Sequence, residues 1–387
     1  MTTAPHWWCV SDCRLADLLA TIAAPGPAPL LAAEVIAGVP VYDGNTIRRL
    51  PDPPNSPRAL MAEWGEVLMH GAGIVVIRRL VDDLDALDAA TALFFRLIDE
   101  QRAAGQGGAD HFAKAGANDR IWNSLQKHAL RDPEGFARYY ANPLLTMVNQ
   151  AWLGPGYQIT AQLNVVNPGG EAQMPHRDYH LGFMTPAQAE AFPAHVHALS
   201  PVLTLQGAIA HVDMPSETGP TLYLPFSQRY APGYLAYGLP EFREHFERHH
   251  VQLPLAKGDA VFFNPALFHA AGTNRTTDVR RMANLLQVSS AMGRAMESVD
   301  REAMSRAVYP ALLGLIERGA MDEERAAHAI AACAEGYAFP TNLDLDPPKD
   351  GLAPPSPQVL MRQALNERWV PQRFADALAA HSRSRQA

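Results

Sequence analysis

Apolar positions change their period twice along this chain. Over residues 59–70 they recur at three- and four-residue intervals, as in a helix with one buried face, and residues 73–77 follow as a short, wholly apolar strand. Helical spacing returns over residues 81–101 and 132–152, the latter ending at Gly154-Pro155-Gly156. From Tyr157 to about Ser290 the pattern shortens to β-rich runs at 158–166, 203–212, 221–224, 260–263 and 283–289, punctuated by Gly, Pro and Asn. Beyond residue 293 the helical pattern resumes, with prolines near 340, at 347–348 and at 354–357. Short strands in this sequence predict an antiparallel double-stranded β-helix, a cupin-like jelly-roll. The expected class is mainly β with flanking helices (α+β), with helical additions at both ends of the core.

Three zones follow. Residues 1–58 are rich in Pro and Ala and read as an extension closing on a linker at 50–57; residues 59–292 form the main domain, its jelly-roll at about 157–292; residues 293–387 form a helical extension packed on the core. Residues 105–117, with Gly-Gln-Gly-Gly, read as a loop bordering a pocket. Residues 185–199 interrupt the strands with helix formers, as a lid beside a site would. Residues 341–357 are linker-like, and Ser382-Arg383-Ser384-Arg385 is expected to be disordered.

Within the β-rich zone, His176-Arg177-Asp178 places a histidine and a carboxylate two residues apart, hence on one face of a strand. His269 arrives at the end of a separate apolar segment, 260–269. Two histidines and one carboxylate make the facial triad of non-heme Fe(II) oxygenases, which leaves metal positions open. His211-Val212-Asp213 repeats the H-x-D spacing after another apolar run and is the rival site. His180 shares the face of His176 and Asp178 if the strand continues, which makes it a pocket residue. His195, His197, His249 and His250 read as surface or lid histidines. Cys9 and Cys13 lack matching ligands for zinc.

An arginine is the side chain that binds a carboxylate bidentately and stays charged. Arg280 stands eleven positions beyond His269, with Arg281 beside it; alternation turns one inward and the other outward, and Arg275 is a third choice. Asn164 on the preceding strand is a second contact for a bound carboxylate. Gln162, Gln206 and Trp122 are candidate pocket residues.

Four segments in order give the chain a resemblance to the phytanoyl-CoA dioxygenase family of Fe(II)/2-oxoglutarate-dependent oxygenases. They are 162–170, which leads into His176-Arg177-Asp178; 217–228, which is similar to the family's acidic-x-Gly-Pro and Pro-Gly-Ser-His stretch; 257–263 before the distal histidine; and 269–275 before Arg280. The resemblance spans roughly residues 60–292. It implies Fe(II) held by His176, Asp178 and His269, which are then the catalytic centre, with 2-oxoglutarate chelating the iron and anchored by Arg280, and O2 as the oxidant. It also moves His211 to a turn after a core strand. Asp178 favours hydroxylation, since related halogenases carry Gly or Ala at that place. The chain departs from the family at Pro225-Phe226 and at Ala271, where the family has a small hydroxyl residue; Thr221 or Thr273 is the substitute.

Composition narrows the partners. The 387 residues are 48% hydrophobic and 19% charged, with formal net charge −8, so a sizeable core is available and no basic patch invites nucleic acid. No run of about 18 apolar residues predicts a membrane span. Three cysteines and an N-terminus without a signal-peptide pattern fit the cytoplasm. The expected activity is hydroxylation of an unactivated C–H bond in a small molecule, with release of succinate and CO2. The alternatives are a jelly-roll sensor that binds iron without turnover, and a cupin-like metalloenzyme that does not use 2-oxoglutarate.

Overall fold

A computed structural model describes residues 6–50, 57–105, 116–348 and 351–386. Residues 51–56 of the expected linker, 106–115 of the expected pocket loop and 349–350 of the second linker-like stretch lie outside the described residues. The chain divides into two compact units, one of residues 1–82, 98–121 and 163–287, the other of 83–97, 122–162 and 288–387. These units cut across the three consecutive zones expected from composition.

The strands are β1 (Glu34–Ile36), β2 (Val39–Asp43), β3 (Ile74–Arg78), β4 (Asn118–Ile121), β5 (Gln158–Val166), β6 (Thr204–Ala210), β7 (Leu222–Leu224), β8 (Val251–Gln252), β9 (Ala260–Phe263), β10 (Phe268–Ala270) and β11 (Arg281–Ser289). Among the described residues they form an eight-stranded sheet, ordered β1-β2-β3-β9-β6-β11-β5-β4, and a three-stranded sheet, β10-β7-β8. The β2–β3 pair is parallel, while β3–β9, β6–β9 and β4–β5 are antiparallel. The fold is α+β with a jelly-roll core.

The core of the first unit follows from strand alternation. Val39 and Val41, Ile74 and Val76, Ala208 and Ala210, and Val261 and Phe263 are two residues apart, face one way, and pack with Tyr223 of the small sheet. The helix Pro57–Met69 buries Leu60, Trp64, Val67 and Leu68. Trp64 meets Tyr42 edge-on, at 5.8 Å between ring centroids. Residues 34–43, expected to belong to an extension, are instead two strands of the large sheet. Four of the five residues of β2 are buried in spite of Pro40, whose missing donor is tolerated at this outer position.

In the second unit the expected helix over 132–152 is two helices, Pro133–Tyr140 and Pro143–Leu153. Pro143 holds Asn142 extended, and the Asn142 side chain accepts from the backbone N–H groups of Leu144 and Leu145 at 3.0 and 3.2 Å, so the break doubles as a cap. The C-terminal residues expected to be disordered continue the helix Pro371–Ser384; the Ser382 hydroxyl donates to Glu302 and Arg385 to the Pro340 carbonyl. Stacking of Phe374 on Tyr309 at 4.2 Å anchors that helix.

His128 lies at the centre of this unit, fully buried, with rings of Phe94, Phe136 and Tyr139 edge-on at 5.4–5.7 Å and no hydrogen-bond partner for either ring nitrogen. Burial pushes its pKa down from 6.5 to about 4. The unfolded chain therefore takes up a proton below pH 6.5 that the folded chain refuses until about pH 4, so stability falls as pH falls through this window. The loss is about 1.4 kcal/mol per pH unit, or about 3 kcal/mol in all. In urea unfolding at pH 7 and pH 5, His128→Leu should lose much less stability than the parent; equal losses would show that another group governs the acid limb.

Candidate metal centre

The three candidate ligands come from two segments of the first unit. His269 is the middle residue of β10, whose backbone pairs with β7 so that His269 lies opposite Tyr223. His176 exchanges two backbone hydrogen bonds with His269, at 2.9 and 3.1 Å, and the Asp178 N–H reaches the Pro265 carbonyl at 3.1 Å. The segment is thus extended but joined by a single bridge rather than a regular ladder. Alternation still holds across it: His176 and Asp178 face His269, and Arg177 turns the other way.

The ligand atoms of His176, Asp178 and His269 lie within 4.8 Å of one another. The His176 and His269 Nε2 atoms stand 3.7 and 3.4 Å from the Asp178 carboxylate oxygens. Each histidine places its Nδ1 against a backbone carbonyl, Met174 for His176 at 2.8 Å and Leu267 for His269 at 2.9 Å. A carbonyl can only accept, so Nδ1 carries the proton and Nε2 presents a lone pair to the centre. The Gln206 amide donates to the second Asp178 oxygen. Burial works against the Asp178 charge, but His269, His176 and Gln206 together hold the carboxyl well below the usual range. Burial, and then the neighbouring His269, lowers the pKa of His176 and favours its neutral form. Two imidazoles with their Nδ1 atoms tied back to carbonyls, and a carboxylate, converge in a donor set that fits a divalent iron ion. Among the described residues no other group of three such side chains converges. Of the rival pair, the Asp213 carboxylate accepts from the Lys257 backbone N–H, and neither His211 nor Asp213 belongs to a converging group among the described residues.

A cavity of about 40 Å³ lies in the same unit, lined by Asn164, Thr221, Tyr223 and Arg281 among apolar residues such as Met214 and Leu255. That is several times the roughly 10–15 Å³ that one water needs. Arg281 is 7% exposed and has no acidic partner among the described residues. Among the described residues, its Nη1 and the Asn164 side-chain oxygen are buried without a hydrogen-bond partner, and the Tyr223 hydroxyl lies beside Thr221. Burial lowers the Arg281 pKa to about 10, so the guanidinium keeps its charge at neutral pH. An unpaired buried cation is costly, and a carboxylate entering this cavity would neutralise it.

This arrangement reverses the expectation for Arg280. Its side chain is 39% exposed; it donates to Asn167 and lies 3.4 Å from Asp119, which also binds Arg102 at 2.7 Å. Residues 281, 283 and 285 line the cavity, and their alternation along β11 turns Arg280 outward. Of the other expected contacts, Asn164 and Thr221 reach the cavity. Thr273 does not: its hydroxyl accepts from the Ala172 N–H in a loop. With Ala271 lacking a hydroxyl, Thr221 and Tyr223 are the hydroxyl residues that line the cavity.

The strand does not continue to His180. Tyr179 and His180 take positive φ values of 62° and 43°, and the chain turns into the short helix His180–Phe183, with the His180 ring on the Ser200 hydroxyl at 3.2 Å. His197, expected at the surface or in the lid, is buried within the 185–199 stretch with Nε2 on the Ala189 carbonyl. Gln162 and Trp122 belong to the second unit, where the Gln162 amide lies 3.9 Å from the Met296 sulfur. Tyr223 and Arg281 line the cavity and were not chosen from the sequence; the i, i+2 relation of Thr221 and Tyr223 was the available signal.

Residues 69–282 match the model of the family phytanoyl-CoA dioxygenase (PhyH). No curated protein matches the chain. Among solved structures, similarity extends to the non-heme alpha ketoglutarate dependent epimerase SnoN from nogalamycin biosynthesis, at 18% identity over 61% of this chain and 84% of that one, TM-score 0.41. The carbocyclase SnoK from the same biosynthesis is 18% identical over 63% and 86%, TM-score 0.40. AviO1 from Streptomyces viridochromogenes is 17% identical over 63% and 99%, TM-score 0.43.

Proposed function

With more than half of its length matched, the chain belongs to the phytanoyl-CoA dioxygenase family, whose chemistry is of the Fe(II)/2-oxoglutarate-dependent oxygenase type, and we propose that it hydroxylates an unactivated C–H bond of a small-molecule substrate. The observation that carries this reading is the convergence of His176, Asp178 and His269 within 4.8 Å, with both Nδ1 atoms tied back to carbonyls. When bound, iron and 2-oxoglutarate supply the oxidising power, with O2 consumed and succinate and CO2 released.

The chain's own residues supply placement. His176, Asp178 and His269 would hold the metal, and Gln206 fixes the Asp178 carboxylate. Arg281, with Tyr223 and Thr221 in the cavity, would bind the far carboxylate of 2-oxoglutarate. The apolar wall of Met214, Leu253, Leu255 and Val261 excludes water from that pair and so strengthens it. Asp178 fills the third ligand place with a carboxylate, which favours hydroxylation of the substrate.

The test is anaerobic. Fe(II) and then 2-oxoglutarate are added to the metal-free protein while the visible spectrum is recorded. A weak charge-transfer band that needs both additions is the expected result. Iron binding without a band would remove 2-oxoglutarate from the account.

No helix among the described residues is long and apolar enough to cross a membrane.

A further inference from the structure

Between the two metal ligands of the His-x-Asp pair stands a charged side chain that points away from the metal. Arg177 is 2% exposed and has no acidic partner among the described residues. Its guanidinium lies between two rings, 5.1 Å from the centroid of Tyr234 and 5.0 Å from that of Phe268. Nη2 donates to the Ser227 carbonyl at 2.7 Å and to the Tyr230 carbonyl at 3.0 Å. The Ser227 hydroxyl in turn accepts from the Phe268 N–H at 2.8 Å. Phe268 immediately precedes His269. A short chain of contacts thus runs from the residue between His176 and Asp178, through Ser227, to the residue before the third ligand.

The surroundings are shaped to keep it there. A Cβ at Gly233 would lie 2.0 Å from the Arg177 Cζ and Nη2 atoms, so only glycine admits the guanidinium. A Cβ at Gly182 would lie 2.1 Å from the Arg177 carbonyl oxygen, where the chain folds back after Asp178. That reversal passes through two non-glycine residues at positive φ, a conformation that surrounding structure must impose. The ligand segment itself has one bridge, flanked by the single bonds from the Gln173 N–H to Ala271 and the Asp178 N–H to Pro265, rather than a regular ladder.

We propose that Arg177 is the positioning residue of the metal centre: by latching the His176–Asp178 segment to the strand of His269 through Ser227, it sets the ligand geometry on which metal affinity depends. The latch rests on the metal-binding reading given above. Its directional hydrogen bonds are what methionine, shorter than arginine and without a donor, cannot make.

The experiment is a Co(II) titration of the metal-free protein, with Co(II) standing for Fe(II) and its visible d–d bands reporting both affinity and ligand geometry. Arg177→Met should weaken Co(II) binding 10- to 100-fold, the range for partners that orient metal ligands, and alter the bands. The thermal midpoint of the metal-free variant should stay near the parent's, because removing a buried charge that has no acidic partner offsets the packing lost with the smaller side chain. Gly233→Ala, which leaves Arg177 in the chain but takes its space, should reproduce the weakening, and Arg177→Lys should fall between. Parent-like affinity and bands in Arg177→Met and Gly233→Ala would overturn the latch. So would a weakening that vanishes once binding is normalised to the folded fraction. If the parent protein itself shows no Co(II) bands, the metal reading fails and the latch with it, an outcome distinct from failure of the latch alone.

Discussion

Arg281→Ala should raise the 2-oxoglutarate concentration needed to half-saturate the charge-transfer band by roughly 10- to 150-fold, and Arg280→Ala should barely move it. The first figure is the ~1.5–3 kcal/mol that a desolvated hydrogen bond to a charged group contributes. Arg281 is buried, lacks an acidic partner, and faces a cavity it shares with Tyr223, Thr221 and Asn164. In the metal-free protein its charge is a burden, so Arg281→Ala should not lower apo stability by more than the lost packing of its stem. Arg280 has the opposite profile. It is partly exposed and paired with Asp119, an arrangement worth about 0–1 kcal/mol of stability. Its removal leaves Asp119 still bound by Arg102. Comparable shifts in the two variants, or a larger one for Arg280→Ala, would show that the cavity is not the co-substrate's carboxylate site.

Alanine at any one of His176, Asp178 or His269 should abolish measurable Fe(II) binding in anaerobic titration, a loss greater than the roughly 100-fold that follows removal of an outer partner. The three atoms converge on one point, and no described side chain stands ready to replace any of them. His211→Ala is the matched control, since it removes a histidine of the second H-x-D pair. It should keep full Fe(II) binding, and its loss of binding would sink the assignment. Among the ligands, Asp178→Ala also removes the acceptor for the Gln206 amide. That variant should therefore show some loss of stability, whereas Gln206 keeps its partner in His176→Ala.

The donor set was legible in the sequence because it is a matter of residue type and short spacing. An i, i+2 pair projects to one side of any extended segment, regular strand or not, so His176 and Asp178 share a face even though the ladder expected there is one bridge. The main β-runs and the helical flanks were legible for the same reason: their periods are local. The two strands at 34–43 do carry β-formers, Val35, Ile36, Val39, Val41 and Tyr42, but these are short runs within a Pro- and Ala-rich stretch, and their place in the sheet comes from pairing with β3.

What only the tertiary structure decided is which face each residue of a doubly buried strand presents. Eight of the nine residues of β11 are buried. With apolar side chains on both faces, the alternation that would separate Arg280 from Arg281 is erased, and a one-residue choice of register exchanges the two. The fate of His180 depended on a chain reversal that no local pattern announces. The role of Arg177 depended on Ser227, Tyr234 and Phe268, residues far along the chain that meet it only when the core closes. The sequence by itself determined the candidate donor set and the order of the main elements, since these rest on residue chemistry and short-range geometry. The cavity, its arginine and the latch behind the metal were decided by long-range packing, where burial on both sides leaves the local pattern silent.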